Sequence, residues 1–85
     1  MIIDYHRTFK KAFAKLPKDY QNKTVISIEK FVKNPRDPSL GVHPLKGMMS
    51  GRSAFSVTGS IRVIFTRRNN TIVLMLDVGG HDQVY

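Results

Sequence analysis

Apolar positions along the chain change their spacing twice. The opening MIIDY (residues 1–5) sets Ile3 and Tyr5 against Ile2 and Asp4, the two-residue alternation of a short strand. From residue 9 the spacing widens. Phe9, Ala12, Phe13 and Leu16 fall at i, i+3, i+4 and i+7, one stripe of a helix that Pro17 stops, with Lys10, Lys11 and Lys15 on the other side. A second helix is predicted over residues 18–33, with Thr24, Val25, Ile28, Phe31 and Val32 inward, Tyr20 near its start, and Asn34 and Pro35 ending it. Two short helices joined at a proline make a hairpin whose apolar seam needs a sheet to lie on.

Residues 34–51 (NPRDPSLGVHPLKGMMSG) carry three prolines and three glycines and read as a loop or a series of turns, long enough in so small a domain to point toward function. Period two then returns in SAFSV (53–57), IRVIF (61–65) and TIVLMLDV (71–78), separated by TGS and RRNN as hairpin turns. Alternation puts Ile61, Val63 and Phe65 on one face of the middle strand and Arg62, Ile64 and Thr66 on the other. In the last strand Ile72, Leu74, Leu76 and Val78 share a face opposite Thr71, Val73, Met75 and Asp77. The helices are expected to cover the more apolar faces, leaving Arg62 and Asp77 to look out from the uncovered side. The predicted fold is α+β: a two-helix hairpin packed on a small, mostly antiparallel sheet, in the order β-α-α-β-β-β, as one domain over residues 1–85.

Composition narrows this picture. With 41% hydrophobic residues the chain can offset its ordering entropy and is read as folded. The absence of cysteine excludes disulfide staples and thiolate metal sites. MIIDYHRTFKK turns polar too early for a secretion signal, and the longest apolar run, IVLML at residues 72–76, is far below the roughly 20 residues that span a bilayer. A soluble, cytoplasmic protein without a membrane partner is expected. Fourteen Lys and Arg against six acids give a net charge of +8, which favours encounter with polyanions. Nucleic acid, an acidic protein and an anionic surface all fit that charge.

The tail GGHDQVY (residues 79–85) follows the most hydrophobic stretch and ends on an imidazole and, four positions later, a phenol. Whether these groups pack or do chemistry is the question the tail poses. His6, His43 and His81 are too widely spaced to recommend a zinc site without cysteines or an HExxH pattern. GMMSGRS (47–53) lacks the GxxxxGK[ST] spacing of a phosphate loop. Met48 and Met49 read as turn or interface hydrophobes, or as core.

The Lys-rich helical hairpin, HPLKG at residues 43–47, the IRVIF strand with Arg62 and the closing GGHDQVY together resemble the RelE/ParE superfamily of bacterial toxins, most closely its YafQ-like branch of ribosome-dependent mRNA endonucleases. The resemblance covers nearly the whole chain and rests on order, spacing and terminal position rather than on one motif. It implies a toxin that enters the A site of the 70S ribosome, cuts the exposed codon of the mRNA, and is held inactive by a cognate antitoxin. Cleavage in that family uses the RNA's own 2′-hydroxyl, with no metal or cofactor. The protein then has to supply a base for that hydroxyl, an acid for the 5′-oxygen, and cations for the charge that builds on the phosphoryl oxygens.

His81 matches the family's terminal histidine, and imidazole is the side chain suited to act as acid or base; the plainer reading is a histidine capping the last strand. His43, in the HPL segment, is the second acid–base candidate, or a turn residue. Arg62 is expected to bind the scissile phosphate, against the alternative of a solvated strand arginine. Lys46 and Arg52 are either the rest of a phosphate cradle or ordinary surface charge. Tyr85 would stack on a base or donate from its hydroxyl, or pack over the core edge. Asp77 is a possible orienter of His81, or merely ends its strand. The YafQ-like branch carries a further histidine and aspartate where this chain has Ser56 and Ser60, and serine cannot move protons as imidazole does. Two other functions stay open: a ParE-like inhibitor of DNA gyrase that acts by binding, and a degenerate toxin that is simply a basic RNA-binding module. In the toxin readings, the expected partner is a short acidic antitoxin segment that folds on contact.

Overall fold

The computed structural model describes residues 1–84, the side chain of Asp82 excepted, and Tyr85 lies outside them. The elements run β1 (Ile2–Tyr5), α1 (Arg7–Lys15), α2 (Lys18–Lys33), β2 (His43–Pro44), β3 (Ser53–Ser56), β4 (Ile61–Arg67), β5 (Ile72–Gly80) and α3 (His81–Val84), with single 3-10 turns at Pro38–Leu40 and Gly47–Met49. One five-stranded sheet has the order β1-β5-β4-β3-β2, in which β1 pairs with β5 in parallel and the other pairs are antiparallel. The predicted α+β architecture is present. Its predicted loop at residues 34–51, however, contributes a further strand, with His43 opposite Ala54 and Pro44 opposite Ser53.

Local chemistry explains the boundaries. His6 caps α1, its Nδ1 accepting from Thr8 N–H at 3.0 Å. Gln21 in α2 donates through Nε2 to Phe13 O at 3.0 Å and Leu16 O at 3.2 Å, tying down the end of α1. Thr58 Oγ1 accepts from Ser60 and Ile61 N–H, and Asn69 Oδ1 from Thr71 and Ile72 N–H, which closes the two hairpin turns.

The core lies between the helical hairpin and one sheet face. Phe31 of α2 stacks on Phe55 at 5.0 Å between ring centroids and meets Phe65 edge-on at 4.8 Å. The inward stripe of α2 is Thr24, Ser27, Ile28 and Phe31, whereas Val25 and Val32 are 45% and 42% exposed. This corrects the expectation that both valines point inward. Positions 24, 27, 28 and 31 repeat at helical spacing, and Thr24 can sit at the centre because its hydroxyl donates to Tyr20 O at 2.7 Å, leaving no unpaired polar atom. Leu40, from the supposed loop, is 1% exposed and plugs the same core.

The last strand also departs from simple alternation. Ile64 pairs with Asp77, but its neighbour Phe65 pairs with Met75, so Leu76 is an extra residue in β5, a β-bulge. Val73 and Met75 therefore enter the helical-side core together with Val78, while Leu76 packs on the opposite face. The bulge also turns Asp77 out. Without it, Asp77 would share the core face with Met75.

Candidate functional site

The sheet face away from α1 and α2 carries its own small apolar cluster of Ala54, Ile64 and Val84, with Leu45, Met49 and Leu76 packed against it. Two segments cover it. One is residues 45–52, held by Leu45 N–H donating to Arg52 O at 2.9 Å and by Thr66 Oγ1 donating to Gly51 O at 2.9 Å. The other is α3. It is seated by burial of Val84 and by Gln83, whose Oε1 accepts from Gly80 N–H at 3.0 Å, the reach-back half of a capping box. Gly79 and Gly80 belong to β5, and neither has positive φ. Their use is room: a Cβ on Gly79 would lie 2.8 Å from Gln83 Oε1 and 3.3 Å from Val84 Cγ1.

Between these covers run two clefts that share Met49. The first, about 350 Å³, is lined by His43, Leu45, Lys46, Met49 and His81. It unites three of the residues singled out in the sequence, drawn from β2, the following turn and the start of α3. His43 Nδ1 lies 2.9 Å from Gly41 O. A carbonyl can only accept, so Nδ1 carries the proton and Nε2 presents its lone pair in the neutral ring. The second cleft, about 170 Å³, has Arg52 and Asp77 in its wall, together with His6 and Thr8. Two wider depressions, of about 640 and 650 Å³, lie by the end of α2 and beside β1, and neither is lined by a site residue predicted from the sequence.

Arg62 lines neither cleft, but it shares their face. It pairs with Ser56 on one side and Gly79 on the other, two positions along β4 from Ile64 of the apolar cluster. Its Nη1 donates to Ser56 Oγ at 2.6 Å. Ser60 sits in the β3–β4 turn beside Thr58. Asp77 Oδ1 accepts from Val78 N–H at 2.8 Å, and partial burial raises the carboxyl above its ordinary pKa, with the Val78 bond pulling the other way. Met48 is fully exposed at 101% and so is not core. Tyr85 lies outside the described residues. His6 escaped the sequence reading as a wall of the second cleft. Its position just before a helix was the available signal, but its cleft partners depend on the parallel β1–β5 pairing.

An α-hairpin over a β1-β5-β4-β3-β2 sheet, with a short terminal helix on the other face, is the RelE/ParE-like toxin fold in its YafQ-like form. The crystal structure of YafQ from E. coli strain BL21(DE3) superposes with a TM-score of 0.83 at 18% identity, covering 98% of this chain and 96% of that one. A YoeB/ParE toxin from Agrobacterium tumefaciens gives 0.78 at 15% identity over 95% and 99% of the two chains. A chain of the E. coli DinJ-YafQ toxin-antitoxin complex gives 0.79 at 18% identity, over 98% and 94%. Neither the models of protein families nor the curated protein sequences match the chain. Among the described residues no helix is long and apolar enough to cross a membrane.

Proposed function

We propose that this protein is the toxin of a type II toxin–antitoxin pair and an endoribonuclease that cuts mRNA in the ribosomal A site without a metal ion. The observation that carries the reading is the meeting of His43, Lys46 and His81 around one open cleft, on the sheet face that also bears Arg62. In this reading Nε2 of His43 takes the proton of the 2′-hydroxyl, since its Nδ1 is engaged with Gly41 O. The 2′-oxygen attacks phosphorus, the P–O5′ bond breaks, and protonated His81 supplies the proton to the departing 5′-oxygen. The products are a 2′,3′-cyclic phosphate and a 5′-hydroxyl. Arg62 and Lys46 stabilise the phosphoryl oxygens as charge builds on them. Tyr85 is assigned base stacking from the sequence alone. An acidic antitoxin is the proposed partner, supported by the +8 charge and by the solved DinJ-YafQ complex of a protein with the same fold.

The test is induced expression of wild type and His81→Ala, paired with cleavage mapping in a translating extract. Wild type should arrest growth and cut within codons. His81→Ala should fold normally and do neither. Equal cut patterns from the two proteins, or inhibition of DNA supercoiling by gyrase in place of cleavage, would defeat the proposal.

A further inference from the structure

The second cleft holds opposite charges that do not neutralise each other. Among the described residues the one ion pair is Arg68 with Asp4, on another part of the surface. Arg52 and Asp77 both line the void of about 170 Å³, yet among the described residues Arg52 Nη1 donates only to Met49 Sδ, at 3.6 Å, and the Asp77 carboxylate accepts only from the Val78 N–H. Its second carboxylate oxygen has no partner among the described residues. The bulge at Leu76 is what sets Asp77 in this wall instead of in the core. Bulges that re-aim a side chain cluster at working sites. A carboxylate placed where partial burial disfavours its charge is a cost to folding that a ligand would offset.

The ligand's chemistry can be read from the walls. Met49 and Leu76, both partly exposed, give an apolar edge against which a flat ring can lie, backed by buried Ile64 and Val84. The void is well below the roughly 300–1,000 Å³ of a pocket for a drug-sized ligand, so it admits one ring system and not a whole nucleotide chain. One side offers a guanidinium fork that donates, the other a carboxylate that accepts. Guanine fits both. It presents the O6 and N7 acceptors on one edge and N1–H with the 2-amino group on the next. Adenine has no second donor beside its 6-amino group for the carboxylate, and uracil has no amino group at all.

We infer that the Arg52–Asp77 cleft is a nucleobase subsite that selects guanine, taking the base next to the phosphodiester held in the His43–His81 cleft. This rests on the reading of that neighbouring cleft as an RNA-cleaving site, and Met49, common to both clefts, sets how closely base and phosphate are seated.

Binding and cleavage are measured separately so that either idea can fail alone. Full-length protein is titrated with trinucleotide RNAs carrying a 2′-O-methyl group at the scissile ribose, which blocks attack, and differing in one base. Wild type should bind the guanine form about tenfold or more tighter than the uracil form, the discrimination of one bidentate pair. Asp77→Asn should narrow that ratio to what Arg52 alone supplies, and Asp77→Asn combined with Arg52→Gln should bring the two within about twofold. Inosine, which lacks the 2-amino group, should weaken wild type and leave Asp77→Asn unchanged. With 7-deazaguanine, wild type should weaken and Arg52→Gln should not. Equal affinity of wild type for all bases, or no binding at millimolar RNA, overturns the subsite whatever the cleavage assay returns. Guanine selection by a protein that never cleaves would instead uphold the subsite and sink the nuclease.

Discussion

Gly79 is where the placement of α3 can be tested most directly. An alanine Cβ at this position would stand 2.8 Å from Gln83 Oε1 and 3.3 Å from Val84 Cγ1. Gln83 can swing aside, but it then gives up the bond it accepts from Gly80 N–H, worth about 0.5–1.5 kcal/mol. Val84 has to lift from Ala54 and Ile64 and loses part of the about 1.5–3 kcal/mol that burying a valine contributes. Because Gly79 does not have positive φ, no backbone strain adds to this. The stiffer unfolded chain returns about 0.4–1 kcal/mol. The net, about 1–3 kcal/mol, falls on the docking of α3.

A four-residue helix has no stability of its own, so that sum is enough to release it while the sheet stays intact. Amide spectra of Gly79→Ala should therefore change along α3 and residues 45–52 and stay fixed for α1, α2 and the aromatic core. On the proposed function, cleavage should fall about a hundredfold, as expected if the proton donor proposed in α3 is misplaced by an ångström or so. Wild-type shifts at residues 81–84 together with wild-type cleavage would refute the claim that the glycine seats the helix.

Two further substitutions probe other parts of the structure. Leu40→Ala should cost about 2–5 kcal/mol, a large share of a small domain's stability, seen as a lowered urea midpoint; an unchanged midpoint would show that the Pro38–Leu40 turn is not part of the core. Asp77 has a folded-state pKa above its unfolded value of about 3.9, so between the two the native state binds more protons and stability declines as pH rises through that window. Asp77→Asn removes that decline, and its melting temperature should gain on wild type from about pH 4 upward. Melting curves that stay parallel with pH would contradict the burial of this carboxyl.

What the sequence disclosed was whatever local spacing determines. The stripe of α1, the helix over Lys18–Lys33 and the three hairpin strands follow from periodicity, and they stand within a residue or two of expectation. What it withheld depends on pairing between distant segments. A two-residue strand at His43–Pro44 has no period to detect, and it exists because Ala54 and Ser53 offer it an edge. Alternation carried through residues 71–78 misassigned Val73 and Met75, because an extra residue in a strand leaves no mark until its partner is known. The inward stripe of α2 is blurred by Val25 beside Thr24, by Val32 beside Phe31, and by a polar Ser27 within the stripe. For the site, HPLKG and the tail marked the histidines. Only the cross-strand rows put them with Arg62 on one face, and only the bulge brings Asp77 into the wall with Arg52.

The serine at position 56 bears on how such a site would work. A carboxylate or imidazole in its place would offer Arg62 a charged or titrating neighbour across the β3–β4 ladder. Ser56 offers a neutral hydroxyl, which accepts from Nη1 at 2.6 Å and so holds the guanidinium in place without cancelling its charge. The remaining N–H groups of the fork keep their attraction for a phosphate, and that attraction is strongest where water is partly excluded. On the proposed reading the serine moves work from proton transfer toward charge stabilisation: His43 and His81 handle the two protons, and the orientation of Arg62 does not depend on the protonation state of a neighbour. Placing a carboxylate at position 56 would therefore weaken phosphate binding even though it strengthens the grip on Arg62, because the pair would meet the RNA with its charge already spent.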